Sequence, residues 1–297
     1  MSGRAILPIS VLSFIWGTTY IATKFAIQEI PVFLMVGLRE FVAGLILLVI
    51  AFLKEDMKSI RPKELIITTV FGLGYFTGAR GLMTISLAYI PAGITALIYS
   101  LIPIYVIILN LFNPRIYLNQ RIIIGIIFGL FGMLIVFQDS LSSDLRYANI
   151  IGLLLALIGA FSWASTSLIA KNFQQKNPIA IRVSMQLLLG GAGLLILSYL
   201  SGETLPEKMP GWVSLISIFY LIVFGSIVGF LVFSHAIREY PVAQISVYAY
   251  INPLVAAVLG YTLLQESYDI FLLLSFIITL YGVYLVNSGY REQFIDS

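Results

Sequence analysis

The sequence predicts an all-α membrane protein of ten transmembrane helices arranged as two inverted five-helix repeats. Three observations carry the prediction: an excess of apolar over charged residues, their grouping into ten segments of spanning length, and a motif block that returns half-way along the chain. Hydrophobic residues make up 60% of the 297 residues and charged residues 10%, whereas a water-soluble domain is about a quarter charged. A compact soluble fold could not bury so much apolar surface. A bilayer core about 30 Å thick takes about 20 residues per helical span.

Charged residues and prolines divide the chain into approximate spans: Ala5–Gln28, Val32–Leu53, Leu65–Ile90, Ala92–Phe112, Arg121–Gln138, Ala148–Ala170, Pro178–Leu200, Trp212–Ile237, Val242–Leu264 and Ile270–Gly289. The first is too long, and at Thr18, Thr19 and Lys24 too polar, for a signal peptide, so it is expected in the mature chain. The longest polar stretches, Lys54–Glu64, Asp139–Tyr147 and Ser201–Pro210, are too short for a soluble domain. Any chemistry therefore belongs to the bundle.

Orientation follows from lysine and arginine, which are retained on the cytoplasmic side of short loops. With the N-terminus inside, Arg4, Lys54, Lys58, Arg61, Lys63, Arg115, Arg121, Lys171, Lys176, Arg182, Arg238 and Arg291 fall in the cytoplasm, against Arg146 and Lys208 outside. The chain is thus expected in the cell inner (plasma) membrane as a multi-pass protein with both termini cytoplasmic.

The block Trp16-Gly-Thr-Thr-Tyr-Ile-Ala-Thr-Lys24 with Pro31 returns as Trp163-Ala-Ser-Thr-Ser-Leu-Ile-Ala-Lys171 with Pro178. The offset from Trp16 to Trp163, from Lys24 to Lys171 and from Pro31 to Pro178 is 147 in each case. Later, Pro91 and Pro103 return as Pro241 and Pro253, each 150 residues on. The repeats are expected at residues 1–140 and 148–290. Five spans each is an odd number, so the second must insert upside down, with Lys24 at an outer helix end and Lys171 at an inner one. Inverted repeats of this kind build secondary transporters that alternate access to a central site.

Two other classes compete with transport. An intramembrane enzyme needs a catalytic set, yet the spans hold no aspartate and no His-Glu-x-x-His motif. The absence of cysteine removes thiol nucleophiles, disulfides and thiolate metal sites. No catalytic residue, metal or cofactor is expected. A scaffold or sensor would not require Arg39, Glu40 and Arg80 within the bilayer, where ionised groups are costly.

The chain also resembles the drug/metabolite transporter superfamily, specifically the EamA-type ten-helix exporters. Trp16-Gly with Lys24, Leu38-Arg39-Glu40-Phe41, and Pro91-Ala-Gly followed by Ser100-Leu-Ile-Pro103 carry the resemblance in the first half. Trp163-Ala with Lys171, Ile251-Asn252-Pro253 and Leu264-Gln265-Glu266 carry it in the second. The resemblance implies two inverted repeats around a central cavity and export of small metabolites, often amino acids. Two positions depart from it: Ile116 stands where the first repeat usually has the glutamate matched by Glu266, and Arg80 is unusual in the third span.

Polar and aromatic residues inside spans are candidate substrate contacts: Trp16, Thr19, Tyr75, Tyr99, Trp163, Ser167, Tyr248 and Asn252 supply π surface and hydrogen bonds. Arg39 and Arg80 supply positive charge. Arg80 lies ten residues from Ile90, about 15 Å along a helix, close to mid-membrane, where it would favour a carboxylate-bearing solute. Glu40 is expected to balance Arg80 or Lys24 rather than its chain neighbour Arg39. Lys24 and Lys171 are expected to anchor helix ends by snorkelling, and Pro103 and Pro253 to act as hinges. Gly74-x-x-x-Gly78, Gly125-x-x-x-Gly129 and Gly225-x-x-x-Gly229 are candidates for close helix packing. The expected partners are a small-molecule substrate and the lipid bilayer, with no nucleic acid.

Overall fold

The computed structural model describes residues 3–54, 62–111, 118–142, 146–173, 177–240, 245 and 248–295. Pro241, the expected start of the ninth span at Val242, and Ile116 lie outside them. All regular structure among the described residues is helical, in ten passes. α1 is Gly3–Ile27 and α2 Val32–Lys54. α3 joins Pro62–Gly72, Leu73–Gly81 and Leu82–Tyr89, and α4 joins Ala92–Tyr99 and Ile102–Asn110. α5 is Gln120–Ser142, α6 Arg146–Asn172 and α7 Ile179–Leu200. α8 joins Trp212–Tyr220, Leu221–Val228 and Gly229–Glu239. α9 is Tyr248–Leu264 and α10 Ile270–Ile295. Eight passes are long and apolar enough to cross a membrane, and Gln120–Val136 and Tyr248–Leu264 are shorter apolar helices. The protein is an all-α membrane protein.

Proline sets several boundaries. Ile90 is extended (φ −127°, ψ 159°) and ends α3, because the ring of Pro91 disfavours helical backbone in the residue before it. Tyr240, before Pro241, ends α8 in the same conformation. At α5 the cap is a side chain: Asn119 Oδ1 accepts the Ile122 N–H at 2.9 Å while its Nδ2 donates to the Gly289 carbonyl.

Within α3 and α8 the middle stretches, Leu73–Gly81 and Leu221–Val228, are wound as π-helix. Their first residues are 148 apart (Leu73, Leu221), close to the repeat offset, so both halves carry the same irregularity. Such wide turns cluster at functional sites.

Odd-numbered passes end on the face opposite the start of α1, termed here the far face, and even-numbered passes end on the near face. Lys24 and Lys171 therefore lie on opposite faces. Ring contact between Phe71, early in α3, and Phe173, just past α6, agrees with this tracing.

The most extensive helix pairs are α5 with α10 and α2 with α7, each joining a helix to its own counterpart in the other half. Lipid offers no hydrophobic drive between helices, so close backbone approach at small residues holds them. A β-carbon at Gly282 would come within 2.5 Å of the Gly129 nitrogen and 2.6 Å of the Gly125 carbonyl oxygen. Gly74 and Gly78 meet Thr166 and Ser162 of α6. Gly225 and Gly229 differ: they make room for the Arg39 guanidinium and the Trp16 indole. Outward-facing Val49, Leu134, Ile158, Val258 and Ile277 are exposed, as a lipid-facing surface requires.

Gly282→Val should lower stability by about 1–3 kcal/mol, the usual cost of overpacking. A drop in the thermal midpoint in detergent, absent in the lipid-facing control Ile277→Val, is the expected result.

Candidate functional site

Five helices converge on a cavity of about 40 Å³. α1 contributes Trp16, Thr19 and Tyr20, α3 Arg80 and Met83, and α4 Ala96, Tyr99 and Ile102. Trp163 comes from α6, and Tyr248, Ala249 and Asn252 from α9. The walls are aromatic: Trp16 meets Trp163 edge-on at 5.3 Å between centroids and Tyr248 at 4.9 Å. Polar tips in this wall bond to the π-helical stretches. Tyr99 donates to the Ala79 carbonyl at 2.6 Å, and Trp16 Nε1 to the Gly225 carbonyl at 3.1 Å. Asn252, its amide oriented by its partners, donates to the carbonyls of Ser13 and Tyr248.

Both candidate hinges adjoin this cavity. A proline removes the hydrogen bond to the carbonyl four residues earlier, which belongs to Tyr99 for Pro103 and to Ala249 for Pro253. Around Pro103 the helix breaks at Ser100 and Leu101. α9 stays continuous through Pro253, so the two repeats differ here.

Behind Arg80 lies a buried charge cluster. Glu40 Oε1 stands 3.1 Å from Arg80 Nε and 3.3 Å from Arg39 Nε. The expected pairing of Glu40 with Arg80 is present. The expected avoidance of Arg39 is not, because both guanidinium groups reach the same oxygen. Arg39 is fully buried and donates from Nε to Ser226 Oγ at 2.9 Å. It was expected to contact substrate but stands outside the cavity wall, since Gly225 opens a slot for it against α8. Arg80 also lies over the Phe76 ring, 5.7 Å from its centroid.

Tyr75 and Ser167, two other candidates, do not line this cavity either. Tyr75 packs edge-on against Trp163 at 4.9 Å and faces a second, larger cavity. Tyr20, Met83, Ala96, Ile102 and Ala249 line the first cavity without having been singled out. Only Tyr20 carried a signal, lying one residue beyond Thr19; the others are apolar and indistinguishable in sequence from packing residues.

Lys24 does not act as a free snorkelling anchor. Its amine donates to Glu266 Oε1 at 2.8 Å, with 21% and 8% of the two side chains exposed. The same oxygen accepts the Ala92 N–H at 2.8 Å, and Oε2 accepts Tyr268 OH at 2.5 Å. Burial, with the Glu266 carboxylate, raises the Tyr268 phenol pKa, so it remains a donor. Gln265 holds a left-handed backbone (φ 55°) immediately before Glu266, a costly conformation for a side-chain-bearing residue. One carboxylate thereby ties the far ends of α1, α4 and α9. Nearby, Glu29 accepts hydrogen bonds from Ser214 Oγ and the Gly211 N–H, and Glu203 accepts from the N–H groups of Phe33 and Leu34. These contacts all gather on the far face.

A second cavity lies toward the near face. It holds about 550 Å³ and is lined by Phe71, Tyr75, Lys171, Arg182, Gln186, Ser234 and Arg238 among others. Lys171 donates to the carbonyls of Arg238 and Tyr240. It thus serves a helix C-terminus as expected, but that of α8 rather than its own. No group of three or more metal-ligating side chains occurs among the described residues.

The EamA-like transporter family matches residues 3–138 and again residues 150–288. The chain belongs to this family. The transporter is 29% identical to the uncharacterized inner membrane transporter YedA of Escherichia coli (strain K12), over 97% of this chain and 94% of the relative. It is 25% identical to the uncharacterized transporter YoaV of Bacillus subtilis (strain 168), over 95% and 96%. A solved crystal structure, described only as that of a protein, shares the fold with a TM-score of 0.70 at 18% identity, over 98% of this chain and 100% of the other.

Two predictions follow from the transporter's far-face contacts. Ala96→Cys should resist a membrane-impermeant thiol reagent and become reactive when Glu266→Gln is added; continued protection would show that Glu266 does not hold the face closed. The hydroxyl of Ser214, then the Gly211 N–H, lower the pKa of Glu29 below 4.5. A lowered carboxylate pKa gives stability that is present above the unfolded value and lost as pH falls through the folded one. The thermal midpoint of Glu29→Gln should therefore lie below wild type at neutral pH and converge with it in acid.

Proposed function

We propose that the transporter exports small anion-bearing metabolites, amino acids or related compounds, from the cell by alternating access. Residues 1–140 and 148–290 act as two inverted five-helix repeats that rock about the cavity holding Arg80. The observation that carries this reading is Arg80 itself, a guanidinium in the wall of a small aromatic cavity near mid-membrane, sharing one carboxylate with a second arginine. Placing an arginine at a helix centre costs about 2.5–3.5 kcal/mol on insertion scales. A cluster of two cations and one anion leaves a positive charge for a ligand anion to balance.

The surrounding parts support the same cycle. Far-face contacts gathered on Glu266 and a large cavity toward the near face are features that one of the two states of such a cycle would need. Basic residues concentrated on the near face support a cytoplasmic position for it, and the inner-membrane name of the YedA relative supports that membrane for this chain. Trp16, Thr19, Tyr99, Trp163, Tyr248 and Asn252 would enclose the solute, with Pro103 and Pro253 as hinges. Arg39 and Glu40 would serve the charge balance.

The test is flux in reconstituted vesicles with alanine, glutamate and their uncharged amides. Arg80→Gln leaves Arg39 and Glu40 as a neutral pair, so the variant should fold. It should lose carboxylate transport by about tenfold or more, equivalent to about 1.4 kcal/mol or more, while transport of the amides persists and Arg80→Lys is intermediate. Equal loss for both analogues together with a lowered thermal midpoint would reduce Arg80 to a structural partner of Glu40.

A further inference from the structure

The near-face cavity holds about 550 Å³, more than ten times the space beside Arg80, and its charge is unbalanced. Among the described residues, Lys171, Arg182 and Arg238 line it against Glu239. Glu64 adds a second carboxylate that acts on Arg182, leaving one positive charge in excess among these described residues. The three cations are not equivalent. The Lys171 amine is held by the carbonyls ending α8. Arg182, in the first turn of α7, and Arg238, in the last turn of α8, repel one another, and neither forms an ion pair within 4 Å among the described residues. Arg182 Nε is buried without a hydrogen bond.

The inner end of this cavity is set by Tyr75. Its residue is 1% exposed, its hydroxyl has no aligned hydrogen-bond partner, and the buried Ser167 hydroxyl nearby has none either. Tyr75 stands edge-on to Trp163, which itself lines the Arg80 cavity. One aromatic layer therefore separates the two spaces. Both π-helical stretches support it, with Tyr75 inside the first and Phe230 and Phe233 just beyond the second.

We infer that the near-face cavity is a second binding station, at which Arg182 and Arg238 hold the anionic group of a solute before it passes Tyr75 to Arg80. The station rests on the proposed preference for anion-bearing substrates, and it adds a site with its own residues. Arginine suits this task, since its planar fork pairs carboxylate or phosphate oxygens two at a time. A cleft lined by one sign of charge also concentrates counter-ions.

The chain has no cysteine, so Ser234→Cys places a single thiol on the cavity wall. Purified protein in phosphatidylcholine nanodiscs is treated with a sulfonate-bearing or a trimethylammonium-bearing methanethiosulfonate. The anionic reagent should react faster by about tenfold, the low end of electrostatic focusing in a charged cleft. Arg182→Gln and Arg238→Gln should each shrink that ratio and Arg182→Lys should keep most of it; if one variant fails to fold, the other carries the test. Glutamate or inorganic phosphate should protect the thiol saturably, beyond sodium chloride of the same ionic strength. Equal rates for the two reagents, an unchanged ratio in the Gln variants, or protection no better than chloride overturns the station. A ratio that vanishes when phosphatidylglycerol enters the nanodisc assigns the site to a lipid headgroup and overturns it as well. Arg80→Gln should leave the ratio unchanged, so failure of the Arg80 reading in flux assays is distinguishable from failure of this one.

Discussion

Two guanidinium groups sharing one carboxylate inside a bilayer form the constraint on which the rest of the structure depends. Glu40 faces Arg39 and Arg80 at ion-pair distance, and removing one partner of a buried pair typically costs about 3–5 kcal/mol. The cluster therefore fixes α2 against α3, and through Ser226 it fixes α2 against α8. Gly225 must be glycine-sized to admit Arg39. Of the three charged groups, Arg80 is the one that lines the cavity.

The same accounting of polar groups explains why the helices around the cavity are irregular. Hydrocarbon offers no water to a stray carbonyl, so non-regular backbone persists only where protein or a cavity satisfies it. The π-helical stretches of α3 and α8 have their carbonyls met by Tyr99, Ser162 and Trp16. Cavity residues and wide turns thus support one another, and a change in winding of α3 or α8 would move the aromatic wall with it.

Closure on the far face has a different physical basis from closure beside Tyr75. The former is made of charge-assisted hydrogen bonds converging on Glu266, a directional arrangement that either forms or does not. The latter is a layer of aromatic edges and faces, which can slide with small losses of contact energy. One is a polar clasp and the other an apolar partition.

The sequence alone determined the class of the protein. Apolar runs of spanning length, the two matching motif blocks and the near-face excess of lysine and arginine are local or periodic features, and each follows from what lipid permits. Seven of the ten candidate substrate contacts, Trp16, Thr19, Arg80, Tyr99, Trp163, Tyr248 and Asn252, do converge on one cavity, because a polar or aromatic residue deep in a span has few other places to go. Tertiary structure alone decided the rest. Arg39 and Arg80 are both arginines deep in neighbouring spans, and only the slot at Gly225 sends one into packing while the other reaches the cavity. Lys24 looked like a lysine free to reach the interface until α9, more than two hundred residues later, brought Glu266 to it. Helical periodicity records which residues leave lipid; which partner each one meets depends on contacts between helices far apart in the chain, and no local pattern encodes those.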